Sequence, residues 1–145
     1  VRHPRHHRSH RHLLDAEVGI VFADLCGFTA LTESVGDHAA AELATRFHAL
    51  ARWSRAPGAR LVKTLGDGVL LVAPDAPAAL RTARALRERV AADRVLPPVH
   101  VGVAAGTVVW RGRDVFGATV NEAARLAAAA APWEIRASPA LAVIA

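Results

Sequence analysis

Apolar and polar positions along this chain switch between a period of two and a period near 3.6. Val18-Gly-Ile-Val-Phe22 is a short β-branched and aromatic run, and it predicts a buried strand ending near Asp24. Gly27 permits a tight turn after it. Ala40, Leu43, Phe47 and Leu50 then line one helix face, and Pro57-Gly58 closes that helical stretch. Arg60 to Ala73 reads as two short strands around Gly66-Asp67-Gly68, a hairpin signal. Asp75 followed by Pro77 predicts a capped helix start, and Ala79, Leu80, Ala83, Leu86 and Val90 continue that helix's apolar face. Pro97-Pro98 marks a boundary, and Val99 to Trp110 reads as strand. Arg111-Gly-Arg-Asp114 is a turn, with pairing resumed at Val115-Phe116. Thr119 to Ala131 is an alanine-rich helix ended by Pro132. Ile135 to Ala137 starts a further strand, and Ser138-Pro139 caps a last helix.

The order is β-α-β-β-α-β-β-α-β. Its first six elements match a ferredoxin-like βαββαβ core of α+β class, an antiparallel sheet with helices on one face. The remainder is a C-terminal βαβ extension that reads as truncated.

Composition narrows the class. A chain of 145 residues with 52% hydrophobic content fits one domain with one core. The net charge of +5 is uneven: residues 1–12 hold Arg2, Arg5, Arg8 and Arg11 and no acid. His3, His6, His7, His10 and His12 lie in the same segment. Residues 1–16 therefore read as a basic His/Arg-rich tail or linker, and 17–145 as the domain. A single cysteine excludes an intrachain disulfide and fits a reducing, cytoplasmic setting. No apolar run is long enough for a membrane span, and the basic N-terminus lacks the apolar region of a signal peptide. Methionine is absent even at position 1, which fits a processed or alternative start, or a piece of a longer protein.

Two acids stand at positions where chemistry is possible. Asp24 ends the first strand and Asp67 sits in the central hairpin turn, and those two strands are commonly neighbours in a β-α-β-β sheet. Paired carboxylates on adjacent strand ends can share hard divalent cations. On spacing alone, a turn-forming Asp67 and a strand-ending Asp24 are the favoured readings over a metal pair. Gly27, Phe28 and Thr29 lead from strand to helix, where backbone N–H groups suit a triphosphate. Cys26 in that loop reads as a small packing residue, because no histidine is placed to activate it. His38, His48 and His100 are isolated, and Trp53 and Trp110 read as packing or interface residues. Aromatic content of 5% weakens the case for an RNA-recognition sheet.

The wording around these residues decides between the readings. Phe22-Ala-Asp24-Leu-Cys-Gly27-Phe28-Thr29 resembles the first metal motif of class III adenylyl and guanylyl cyclases, and Lys63-Thr-Leu-Gly66-Asp67-Gly68 the second. Asp114-Val-Phe-Gly117-Ala-Thr-Val-Asn121-Glu-Ala-Ala-Arg125-Leu126 resembles the third. The three occur in the family's order, from about Glu17 to Ser138.

The resemblance implies roles. Asp24, Asp67 and the Leu25 carbonyl match the ligands of two ions, Mg2+ or Mn2+. Lys63 and Asp114 match the pair that reads the purine, and a lysine donor with an aspartate acceptor suits adenine. Asn121 and Arg125 match the residues that steady the transition state, four apart on one helix face. The reaction implied is conversion of ATP to 3′,5′-cyclic AMP and pyrophosphate. The assembly implied is a head-to-tail homodimer with shared sites, compatible with an output half of a longer protein with a regulatory domain, with no specific nucleic acid.

Two departures from the family pattern set expectations. A late Leu-Lys-Gly segment, whose lysine grips the terminal phosphates, has no counterpart, since Lys63 is the only lysine. Trp133 stands where the family often has glycine, a costly choice if that turn needs φ > 0. The alternatives are a catalytically impaired cyclase-like module that binds nucleotide or dimerises, and a basic ferredoxin-like nucleic-acid binder using the arginine tail.

Overall fold

The computed structural model describes residues 17–142. The basic tail expected at 1–16 lies outside them. Twelve elements follow in order: β1 (Glu17–Leu25), α1 (Phe28–Val35), α2 (Asp37–Trp53), β2 (Arg60–Leu65), β3 (Gly68–Ala73), α3 (Ala76–Ala92), β4 (Val99–Thr107), β5 (Val109–Arg111), β6 (Asp114–Phe116), α4 (Ala118–Ala129), β7 (Ile135–Ala137) and α5 (Pro139–Ala142). The main sheet has the strand order β2-β3-β1-β4-β7. Its first four strands are antiparallel, as the ferredoxin-like pattern requires. β7 joins parallel to β4, so the parallel crossover is β4-α4-β7; Val115–Phe116, expected as the first strand of the C-terminal βαβ extension, pairs instead in the separate β5–β6 hairpin.

Alternation along the strands builds two cores. Val21, Ala23, Leu25, Leu71, Val101 and Val103 face α2 and α3, where Phe47 and Leu86 are fully buried. Ile20, Leu70, Val72 and Ala104 point the other way, against Ala123 of α4 and Val115 of the β5–β6 hairpin. β3 is buried at all six positions, so its continuous apolar run is that of a strand covered on both sides. Each fully buried large side chain contributes about 1.5–3 kcal/mol of transfer free energy.

Local signals explain most boundaries. Asp75 accepts a hydrogen bond from the Ala78 N–H at 2.8 Å, and Pro77 occupies the first turn of α3. The single helical stretch expected after Gly27 is two helices, because Gly36 at φ +90° ends α1, its N–H donating to the Thr32 carbonyl at 2.8 Å. The strand expected over Val99–Trp110 divides at Val108. Described pairing with β1 runs as far as Thr107, opposite Glu17, and Val109–Arg111 pairs instead with Asp114–Phe116 in the separate β5–β6 hairpin. Trp133 does occupy the left-handed region, at φ +68°, a conformation that costs a residue with a Cβ about 1–2 kcal/mol.

α4 sits close on β4 because that strand presents Gly102, Ala104 and Gly106 to it. A Cβ on Gly102 would collide with the Ala123 carbonyl oxygen and the Ala127 nitrogen, and would lie 3.0 Å from the Leu126 carbonyl carbon. The approach of helix to strand is therefore set by the missing side chain.

Candidate active site

Asp24 lies in the middle of the sheet's working edge. It pairs with Gly68 on β3 and with His100 on β4. Its carboxylate occupies the space that a side chain on Gly68 would fill. Asp67 is beside it, in the two-residue loop closed by the Leu65–Gly68 pair. Burial pushes the Asp24 carboxyl above its ordinary pKa, the charge of Asp67 pushes it further, and His100 pulls it partly back. Among the described residues neither acid has an ion-pair partner. A divalent cation could supply the pair's counter-charge, since two hard carboxylates are donors of the kind Mg2+ or Mn2+ takes. No cluster of three or more His, Cys, Asp or Glu side chains among the described residues forms a closed metal site. Backbone, water and substrate phosphates would complete the coordination, as is usual for magnesium.

The expected phosphate turn follows β1. Gly27 has φ +65° and precedes the first residue of α1, and no side chain caps that helix. Its first N–H groups are left for an anion. Gly27 and Thr29 are exposed, Phe28 half-buried. Burial and the nearby Asp24 charge push the Cys26 thiol pKa up, which suits a packing residue and not a nucleophile.

Lys63 reaches the opposite side of the sheet through a β-bulge. Leu61 pairs with Leu71, but Lys63 pairs with Leu70, so Val62 is the extra residue. The bulge moves Lys63 onto the face shared by Leu70, Asp24 and α4. There its Nζ lies 3.1 Å from one Asp114 carboxylate oxygen and 3.2 Å from the other. The Val115 N–H and the Lys63 ammonium hold the Asp114 carboxyl below its ordinary pKa. The Phe116 ring lies 5.9 Å from the Lys63 ammonium. The two residues assigned to the purine are thus brought together from β2 and β6 within one chain.

Asn121 and Arg125 sit on α4, whose buried side is Ala123 and Ala127. Each is two residues from Ala123, about 200° around the helix, and both are exposed. They project away from the sheet on which their own chain's Asp24 lies. Leu25 ends β1, paired with Val99.

Three contacts at the site escaped the sequence reading. His48 Nε2 lies 2.8 Å from the Gly66 carbonyl. The Nδ1 of His100 hydrogen-bonds to the Ala127 carbonyl, which ties β4 to the C-terminal turn of α4. Neither histidine had a nearby sequence partner, since the contacts span 18 and 27 residues. Phe116 against Lys63 was equally invisible. Of the two tryptophans assigned to packing or interface, Trp110 is half-buried beneath the Arg60 guanidinium, while Trp53 is 75% exposed and packs in neither core.

Fold and site together define a nucleotide-cyclase type of domain. The Adenylate and Guanylate cyclase catalytic domain family matches residues 12–144, and the chain belongs to that family. It is 46% identical over 115 residues to an adenylate cyclase of Streptomyces coelicolor, with 79% of this chain aligned. It is 43% identical over 119 residues to a pH-sensitive adenylate cyclase of Mycobacterium tuberculosis, with 82% aligned. The chain spans 30% of the length of each of these relatives. Among solved structures, the adenylate/guanylate cyclase/hydrolase of Silicibacter pomeroyi superposes with a TM-score of 0.74 at 29% identity, covering 88% of this chain and 78% of that one. The adenylyl cyclase CyaB of P. aeruginosa shares the fold, with a TM-score of 0.76 at 22% identity over 88% of this chain and 79% of that one.

Proposed function

We propose that this chain is the catalytic portion of an adenylate cyclase, converting ATP to 3′,5′-cyclic AMP and pyrophosphate. The observation that carries the reading is the Asp24–Asp67 pair, two neighbouring carboxylates with no ion-pair partner among the described residues, on a sheet whose strand β2 brings Lys63 to Asp114. The relatives named as adenylate cyclases support ATP as the nucleotide.

The parts divide the work. Divalent cations held by Asp24, Asp67 and the Leu25 carbonyl would acidify the ribose 3′-hydroxyl and neutralise charge on the departing pyrophosphate. Lys63 donates to a ring nitrogen of adenine and Asp114 accepts from its amino group, so the purine replaces their mutual ion pair. The amides at Gly27, Phe28 and Thr29 hold phosphate oxygens. Asn121 orients the ribose, and the Arg125 fork takes the charge that builds on the α-phosphate oxygens. The 3′-oxygen–phosphorus bond forms as the bridging oxygen leaves with pyrophosphate, and the hydroxyl proton passes to solvent.

Asn121 and Arg125 point away from the Asp24 of their own chain, which supports a head-to-tail homodimer. In it, Asp24 and Asp67 of one protomer face Lys63, Asp114, Asn121 and Arg125 of its partner. The chain spans 30% of the length of its adenylate cyclase relatives, which supports reading it as the output part of a longer protein with a regulatory domain.

Incubation with ATP and Mg2+ or Mn2+, followed by assay for cyclic AMP, tests the activity. Asp24→Ala and Asp67→Ala should abolish it. A one-to-one mixture of Asp24→Ala and Arg125→Ala should recover about a quarter of wild-type activity, because half of the dimers are mixed and each has one intact site. Two folded variants that fail to complement would overturn the shared-site arrangement.

A further inference from the structure

We propose that His48 is the positioning residue of the turn that carries Asp67. Its Nε2–H donates to the Gly66 carbonyl and holds the Gly66–Asp67 peptide in the orientation that presents Asp67 beside Asp24. This inference rests on the reading of Asp67 as a metal ligand.

The argument starts from the length of the loop. Leu65 pairs with Gly68, so only Gly66 and Asp67 connect the strands. Two-residue hairpin loops favour the type I′ and type II′ turns, which differ by a flip of the peptide between the two loop residues. Type I′ needs positive φ at both residues, type II′ only at the first. Gly66 has φ +63°. Among the described residues Trp133 is the one non-glycine at positive φ, so Asp67 lies at negative φ and the peptide is in the type II′ sense.

The carbonyl of that flipping peptide is the Gly66 carbonyl, and it is the group His48 reaches at 2.8 Å from α2. A carbonyl accepts only, so Nε2 carries the hydrogen. Aspartate tolerates left-handed backbone better than most residues. The Cβ of Asp67 therefore resists the flip only weakly, and the His48 hydrogen bond supplies the remaining bias. No other side-chain hydrogen bond among the described residues reaches Gly66 or Asp67. A flip would turn the Asp67 Cα–Cβ direction and move its carboxylate relative to Asp24.

The test uses the whole chain with Mn2+ alone as the probe, free Mn2+ being read by electron paramagnetic resonance. Backbone amide exchange at Asp67 and Gly68 is measured in parallel without metal. His48→Ala should weaken Mn2+ binding about three- to tenfold, the population change expected from losing one ordinary hydrogen bond. Amide exchange in the turn should rise by a similar factor, with the melting temperature no more than about 5 °C below wild type. His48→Gln keeps an N–H donor and should recover most of both losses. Should His48→Ala melt lower, His48→Leu keeps apolar bulk without the donor and makes the same comparison. Asp67→Ala should abolish binding. Wild-type Mn2+ affinity and exchange in the Ala or Leu variant, while Asp67→Ala binds no metal, would overturn the role of His48 alone. A Gln variant as weak as Ala would do the same. Unaltered binding by Asp67→Ala would overturn the metal reading, and the proposal with it.

Discussion

Substituting Gly102 by alanine tests whether the seating of α4 governs both stability and turnover. Gly102 is not at positive φ, so its backbone accepts alanine. The obstacle is space. The new Cβ would meet the Ala123 carbonyl oxygen, the Ala127 nitrogen and, at 3.0 Å, the Leu126 carbonyl carbon. These are backbone atoms of successive helical turns and cannot rotate aside. Relieving the contacts requires α4 to move outward by about 1 Å, given ordinary non-bonded separations near 3.5 Å. Overpacking of this kind costs about 1–3 kcal/mol, and the lower unfolded-state entropy of alanine returns about 0.4–1 kcal/mol. A net loss of about 1–2 kcal/mol lowers the melting temperature by about 3–8 °C. The same shift moves Asn121 and Arg125, and a misplacement near 1 Å can lower kcat about a hundredfold. Urea unfolding and cyclic AMP formation from ATP measure the two effects. Gly106→Ala is the control, because the nearest atom there is the Thr119 Oγ1 at 2.5 Å, at the end of a side chain that can turn. Its cost should be clearly smaller. A Gly102→Ala protein with wild-type melting and wild-type kcat would refute the reasoning.

Two further outcomes follow from the site's electrostatics. Burial and Asp67 raise the Asp24 pKa, so the folded protein binds a proton more readily than the unfolded chain. Stability of the metal-free protein therefore falls as pH rises from the ordinary carboxylate pKa through the raised one. Asp24→Asn removes that loss. Without metal it should be more stable than wild type at neutral pH, with the gap closing on acidification below the ordinary value. Mn2+ should reverse the order by stabilising only wild type, by about 2.7 kcal/mol at a hundredfold excess over Kd. A metal-free Asn variant less stable than wild type at pH 7, in urea denaturation, would contradict this. Lys63→Ala breaks a half-exposed ion pair that contributes little to stability, yet should lower kcat/KM for ATP about tenfold or more through the lost hydrogen bond to the base. Unchanged ATP turnover would remove Lys63 from the purine site.

The linear order of residues was enough to place β1, the β2–β3 hairpin, the Asp75-capped helix and the alanine-rich helix. In each the information is local: a period of two or 3.6, a capping acid, a glycine or a proline. The three motifs could be matched for the same reason, since Asp24, Asp67, Asn121 and Arg125 each sit in a short window with a distinctive pattern. Trp133 is a further case, because the family resemblance marked its position as one where glycine is usual, and the residue takes up φ +68° there.

Other features arise only where distant segments meet. The Val62 bulge changes the face of Lys63 by one residue of register, and no single-strand pattern encodes that shift. The close seating of α4 on Gly102 depends on a strand and a helix separated by the β5–β6 hairpin. His48 is an ordinary polar residue on a helix until the hairpin folds against it and leaves the Gly66 carbonyl 2.8 Å away. Sequence determined which carboxylates are available for metal chemistry. Tertiary packing decided what holds them in place, because backbone partners and sheet faces are properties of the assembled sheet.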